Sequence, residues 1–241
     1  MCGRYSLTST IDKLLPRLRG PVPSGLPLHY SPRRQVRPGE PVLLQRQEHG
    51  RLEVGFALWG LLPGWSKAGK LTRRLINARS ETVATKPFFR GSWRHRRCLI
   101  PADGFYEWSK PAGVPTARSR KQPWWIGRKD RHNFWLGGIW DRWIGADGSE
   151  VESCCLLTTT SNNLVRPIHD RMPVVVPDGL EKAWLDPVGG SELRALEPLT
   201  ISWDATAWEA VELVSMPGDD ELEASQMSRQ LELLESSSSF G

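Results

Sequence analysis

The sequence predicts an α+β fold: a single domain with an antiparallel, β-rich core and short helices at its periphery. Three observations predict it. Strand-like runs recur at 41–46, 52–59, 97–101, 103–108, 123–127, 133–143, 152–160 and 173–176. Glycine (22 residues) and proline (19) separate many of these runs, which is the punctuation of antiparallel sheets rather than of βαβ repeats. Neither an internal repeat nor a linker divides the 241 residues, a length that suits one β-rich domain. A hydrophobic content of 39% with 12 tryptophans supplies material for a core.

In chain order, residues 9–19 are predicted as a short helix capped by Ser9 or Thr10. Ile11, Leu14, Leu15 and Leu18 fall at the i, i+3, i+4, i+7 spacing of one face, and Pro16 limits its regularity. The Pro- and Gly-rich stretch 20–40 predicts an extended, ordered loop. Short helices are predicted at 80–86, 161–166, 179–185 and 190–196, and the polar segment 110–122 connects two strands. From residue 217 the chain turns acidic and polar and runs into Ser236-Ser237-Ser238-Ser239, which predicts a disordered tail over 217–241 after a domain at 1–216.

Composition narrows the function classes. The formal charge is +5 and the pI about 9.2, a bias that suits an anionic partner. Cys2, Cys98, Cys154 and Cys155 are too few and too irregular for a secreted disulfide framework, so adjacent Cys154 and Cys155 read as reduced core residues on a strand. Asp12, Lys13 and Arg17 interrupt any signal-peptide core, and no run approaches the roughly 20 apolar residues of a membrane helix. Gly3 is not directly after Met1, so the myristoylation pattern fails. These features predict a soluble, cytoplasmic protein with no membrane partner.

Charge gathers between Lys67 and Arg97. Lys67, Lys70, Arg73, Arg74, Arg79, Lys86, Arg90, Arg94, Arg96 and Arg97 face a single carboxylate, Glu81, which is a greater excess than the whole chain carries. A solvated face is the ordinary explanation of a charge run. Here Trp65, Phe88, Phe89 and Trp93 interleave the cations, and that mixture suits phosphates and unstacked bases of a single strand.

Several stretches carry possible chemistry. Met1 is followed by a small residue, and its removal would leave Cys2 with a free α-amine beside a thiol. A 1,2-aminothiol condenses with an aldehyde and closes a thiazolidine, or attacks a carbonyl as a thiolate with its own amine as base. An early, inert cysteine is the plain alternative. Gly64 to Lys70 imitates the start of a P-loop, but Leu71 stands where a magnesium-binding hydroxyl is needed. His95 and Cys98 lack any partner motif, so no metal site is predicted, and no G-x-S-x-G elbow occurs. Asn77 ends an apolar run and is either a turn residue or something more. Glu107 shares a strand face with Phe105, so it is either a buried carboxylate with a raised pKa or a solvated strand end. His169, in the loop before Val174-Val175-Val176, is either surface decoration or a general acid–base.

Together these stretches resemble one family. Cys2-Gly3-Arg4-Tyr5, Trp59 to Trp65, Asn77-Ala78-Arg79-Ser80-Glu81-Thr82, Arg96 to Trp108 and His169-Asp170-Arg171-Met172-Pro173 occur in the order of the SOS response-associated peptidase (SRAP) family, and the match runs from residue 2 to about 215. The resemblance implies one mixed domain with a barrel-like β core, monomeric and without a cofactor or metal. It also implies that Cys2 forms a thiazolidine crosslink with an abasic site in single-stranded DNA and so shields the lesion. Asn77 would hold the Cys2 amine and Glu107 would move protons. His169 would protonate the deoxyribose oxygen and assist reversal. Arg4, Arg79 and Arg171 would pair with phosphates, Thr158 would hydrogen-bond one, and Trp65 would wedge against bases. Pro87 stands where some relatives carry a further arginine, for which Arg90 is the substitute. The alternatives are an N-terminal cysteine amidohydrolase or peptidase and a non-covalent single-strand-binding module.

Overall fold

The computed structural model describes residues 2–66, 75–109, 121–187 and 192–218. Two sheets organise it. The strands in chain order are β1 (Tyr5–Leu7), β2 (Arg33–Val36), β3 (Pro41–Glu48), β4 (Arg51–Trp59), β5 (Asn77–Arg79), β6 (Arg97–Ala102), β7 (Gly104–Ser109), β8 (Gln122–Arg128), β9 (Phe134–Ile144), β10 (Glu150–Thr160), β11 (Arg171–Pro173), β12 (Val175–Val176) and β13 (Trp208–Glu212). Short helices α1 (Ile11–Leu14), α2 (Leu26–His29), α3 (Ser80–Val83), α4 (Arg90–His95) and α5 (Glu181–Leu185) lie between them.

One sheet closes on itself. β10 pairs with β4, β4 with β3, β3 with β6, β6 with β9, and β9 with β10 again, giving a five-stranded barrel that leaves no edge among those strands. Trp59, Trp135 and Trp140 on its strands are fully buried. The β3–β4 hairpin turns through His49 and Gly50, both with positive φ (50° and 76°), the geometry of a two-residue hairpin loop that matches strand twist. The second sheet runs β13-β8-β7-β1-β2 and is antiparallel throughout. Its β7 and β8 approach closely because two glycines make room: a Cβ on Gly104 or Gly127 would lie 2.1 or 2.2 Å from the Trp125 ring.

The eight predicted strand runs all correspond to strands, the last divided into β11 and β12. Six expectations need correction. The helix predicted at 9–19 is the four-residue α1 followed by a 3-10 turn at Leu15–Arg17, and Thr10 at its head makes no side-chain capping hydrogen bond. Stretch 20–40 contains α2 and β2 rather than loop alone. Residues 161–166 form turns, not a helix: Asn162 Oδ1 accepts the Leu164 and Val165 N–H groups at 3.2 and 3.1 Å, and Pro167 follows. The predicted 190–196 helix is a 3-10 turn system at Glu192–Thr200 with Pro198 inside it. The predicted helix at 80–86 shortens to α3. The sheet is not purely antiparallel, because β10 runs parallel to both β4 and β5. The 110–122 connection falls largely, and the tail from 219 wholly, outside the described residues.

A buried cation ties helices to the barrel. Arg97 on β6 is 2% exposed, and its guanidinium donates to the carbonyls of Trp93, Arg94, Trp184 and Asp186, at the C-terminal ends of α4 and α5. Burial pushes its pKa down to about 10, and four carbonyl acceptors compensate the charge in place of a carboxylate.

Candidate active site at the start of the chain

Chain termini usually fray, yet here the first residues are built into a sheet. β1 lies between β2 and β7, with Tyr5 opposite Phe105 and Ser6 opposite Gly104. Asp103, at the turn into β7, fastens it. One carboxylate oxygen accepts the Ser6 hydroxyl, and the other accepts the Thr8 N–H and, at 2.7 Å, the Thr8 hydroxyl. The Tyr5 ring packs on Trp59 of the barrel at 5.5 Å. Held so, Cys2 is completely buried.

Around Cys2 the structure brings together Asn77, Glu107 and His169, which lie on three separate segments. Asn77 heads β5, which parallel pairing fixes to Leu156 of β10. Its Nδ2 donates to the Cys2 carbonyl at 2.8 Å, while its Oδ1 is buried with no hydrogen-bond partner among the described residues. Phe105 and Glu107 are 0% and 2% exposed, so the buried alternative for Glu107 holds. Burial raises its carboxyl from 4.5 to about 7. His169 Nε2 is 4.0 Å from Glu107 Oε2. On the other side of the ring, Nδ1 accepts the Arg171 N–H at 2.9 Å and lies 3.0 Å from the Asp170 carboxylate. Nδ1 also lies 3.2 Å from the Arg171 carbonyl, so a proton on that side of the ring has Asp170 and Arg171 as acceptors, while Nε2 faces Glu107. Burial lowers the His169 pKa, favouring the neutral ring.

The Arg4 guanidinium donates to Gln35 at 2.8 Å and lies 5.6 Å over the Trp108 ring, while the Cys2 thiol donates to the Arg4 carbonyl at 3.7 Å. Burial first, and the nearby Glu107 carboxylate second, push the thiol well above its ordinary value. Thr158, expected against a phosphate, is fully buried, and its hydroxyl donates to the Ala78 carbonyl at 3.4 Å. It supports Arg171 instead, whose Nη2 reaches the Thr158 carbonyl at 2.5 Å and its hydroxyl oxygen at 3.3 Å. Arg171 in turn makes a two-pronged ion pair with Glu81 at 2.6 and 2.9 Å.

Arg79 is exposed on β5. Trp65 and Arg90 line a different place, a groove of about 850 Å³ that also involves Phe88, His95 and Arg96. Trp65 is 64% exposed and meets Phe88 edge-on at 5.9 Å. The Gly64 N–H donates to Asp141 at 3.1 Å, so the start of the P-loop imitation, Gly64 and Trp65, is a turn anchored to a carboxylate, and the rest from Lys67 lies outside the described residues. Lys67, Lys70, Arg73 and Arg74 lie outside the described residues. Among the described residues no group of three His, Cys, Asp or Glu could hold a metal, and no helix is long and apolar enough to cross a membrane.

Sequence reasoning missed Asp103, Gln35, Trp108 and Glu81. An acid just before Gly104, at the head of a strand run, was a faint signal for the first, since such residues bond nearby backbone. Gln35 had none, its partner being 31 residues away.

The SOS response associated peptidase family profile matches residues 1–216. The abasic site processing protein YoqW of Bacillus subtilis is 34% identical over 218 residues, covering 90% of this chain and 93% of the relative. Abasic site processing protein YedK of Escherichia coli is 33% identical over 189 residues, 77% of this chain and 79% of YedK. A solved protein from Bacteroides thetaiotaomicron superposes with a TM-score of 0.74 at 26% identity, covering 88% of this chain and 92% of that one.

Proposed function

Because the chain belongs to the SOS response associated peptidase family, we propose that it processes abasic sites in single-stranded DNA by crosslinking them to Cys2. The observation that carries this is the buried Cys2 beside Glu107, with Asn77 bonded to its carbonyl. With Met1 removed, the Cys2 amine has a pKa of about 8 and is partly neutral near pH 7. It adds to the C1′ aldehyde of the ring-opened sugar, and the carbinolamine loses one water to give an imine. The Cys2 Sγ then adds to the imine carbon while its proton passes to the nitrogen, closing a thiazolidine. One water leaves overall and nothing is oxidised.

The residues fit these steps. Asn77 Oδ1 offers an acceptor for the Cys2 amine. Glu107, near half-ionised at pH 7, can both give and take a proton during dehydration and closure. His169 is the proton donor for the sugar oxygen. The crosslink begins at the Cys2 amine, whereas the peptidase alternative would begin at its Sγ. Arg4, Arg79 and Arg171 supply positive charge for phosphates, and Trp65 and Arg90, in their separate groove, offer a ring and a cation to a longer strand. A strand already lacking the base needs no base pair opened to expose the sugar.

The test is a denaturing gel with untagged protein and oligonucleotides that carry or lack one abasic site. A heat-stable adduct should form with the abasic strand only and disappear for Cys2→Ala. An adduct of undiminished yield with Cys2→Ala would overturn the proposal, and Cys2-dependent peptide cleavage without an adduct would favour the hydrolase.

A further inference from the structure

Glu81 is the single carboxylate among the ten cations between Lys67 and Arg97, and it sits in the first turn of α3, two residues after Arg79. Both of its oxygens bond Arg171, Oε1 to Nη1 at 2.6 Å and Oε2 to Nη2 at 2.9 Å, and the Thr160 hydroxyl stands 3.5 Å from Oε1. The Glu81 side chain is 45% exposed and that of Arg171 only 12%, so the carboxylate forms the solvent-facing side of the pair. Inward, Nη2 is engaged by Thr158 and Nε is buried. A guanidinium fork binds a carboxylate and a phosphodiester with the same geometry. A phosphate arriving from solvent therefore meets a fork already filled.

We propose that Glu81 is a specificity-determining residue, its carboxylate occupying against Arg171 the place a backbone phosphate takes, so that any strand must displace it to bind. This rests on Arg171 being a phosphate contact of the proposed crosslinker. Undamaged DNA, held only by reversible contacts, is weakened by that competition and leaves. An abasic strand needs only to dwell until the covalent bond forms, after which the competition no longer matters. The carboxylate thus lowers occupancy by intact DNA and spares the committed product.

The experiment measures the affinity of Glu81→Gln for an intact single-stranded oligonucleotide across a salt series, beside wild type, Arg171→Gln and the double variant. Glu81→Gln should bind about two- to five-fold tighter at low salt, the scale of one exposed ion pair. Its log K against log salt should steepen by about 0.7, one more phosphate neutralised on a single strand. In the Arg171→Gln background the gain should vanish. Unchanged or weaker binding by Glu81→Gln overturns the proposal, as does an equal gain without Arg171, which would make Glu81 a mere repelling charge. If Arg171→Gln does not fold, the salt slope of Glu81→Gln alone decides. Wild type with an abasic oligonucleotide runs in parallel, so loss of the adduct there counts against the crosslinking function and leaves the intact-strand result to judge Glu81.

Discussion

Replacing Glu107 by glutamine should make the protein more stable, and only toward alkaline pH. Glu107 is 2% exposed, and burial moves its carboxyl from 4.5 to about 7. A carboxyl that holds its proton more tightly when folded destabilises the fold once ionised. Below pH 4.5 both states are protonated and no penalty exists. It grows as pH rises from 4.5 to 7 and is complete above. At about 1.4 kcal/mol per pH unit the full penalty is about 3 kcal/mol. Glutamine has the same shape and no charge to bury, so Glu107→Gln escapes that penalty. For a domain of this size 1 kcal/mol moves the melting midpoint by about 2–4 °C, so the variant should melt about 6–12 °C above wild type at pH 9 and level with it at pH 4.5. Thermal unfolding followed by circular dichroism at half-unit pH steps measures this, and the same samples can be assayed for adduct formation, which should slow in the variant. Equal midpoints at every pH, or a gap that opens toward acid, would refute the assignment of Glu107 as a buried carboxyl with a raised pKa. A stabler but slower variant is the signature of a group kept for chemistry at the expense of the fold.

Two further substitutions test the scaffold under the site. Gly104→Ala would set a methyl 2.1 Å from Trp125 Nε1, which also bonds the Ser6 hydroxyl at 3.1 Å, so a loss of about 1–3 kcal/mol is expected in a urea titration. Asp103→Asn would turn a donor toward Thr8 or Ser6 where the carboxylate now accepts from both. It should cost about 1–3 kcal/mol and slow the Cys2 reaction, with hydrogen exchange at Thr8 as the direct readout.

Much of the fold was legible because strand signals are local. β3, β4 and β6 to β10 each carry an apolar run bounded by turn residues, enough to place them within a few positions. β1, β2, β5 and β13 were not legible. They are three to five residues long and exist through their neighbours, as β5 exists through β10. Closure of the barrel was hidden for the same reason, since it depends on Ser153 and Cys154 meeting Leu58 and Trp59 across nearly a hundred residues of chain. At the site, residue types suggested Glu107 and His169, and the family resemblance supplied their grouping with Cys2 and Asn77. The inward turn of Thr158 and the Glu81–Arg171 pair had no local signal, because both are settled by tertiary packing.

The burial of Cys2 has a consequence in time. Its pocket is made by groups that emerge from the ribosome late, Glu107 and then His169. At about 5–20 residues per second Cys2 waits about 10–30 s for the last of them. During that interval the amino end is open to whatever enzyme trims Met1, and after it Cys2 is completely buried. The proposed chemistry therefore calls for Met1 to be trimmed before that burial is complete. Chains that fold ahead of trimming would be locked as unreactive, and a refolded, Met1-bearing preparation should stay inert however well it folds.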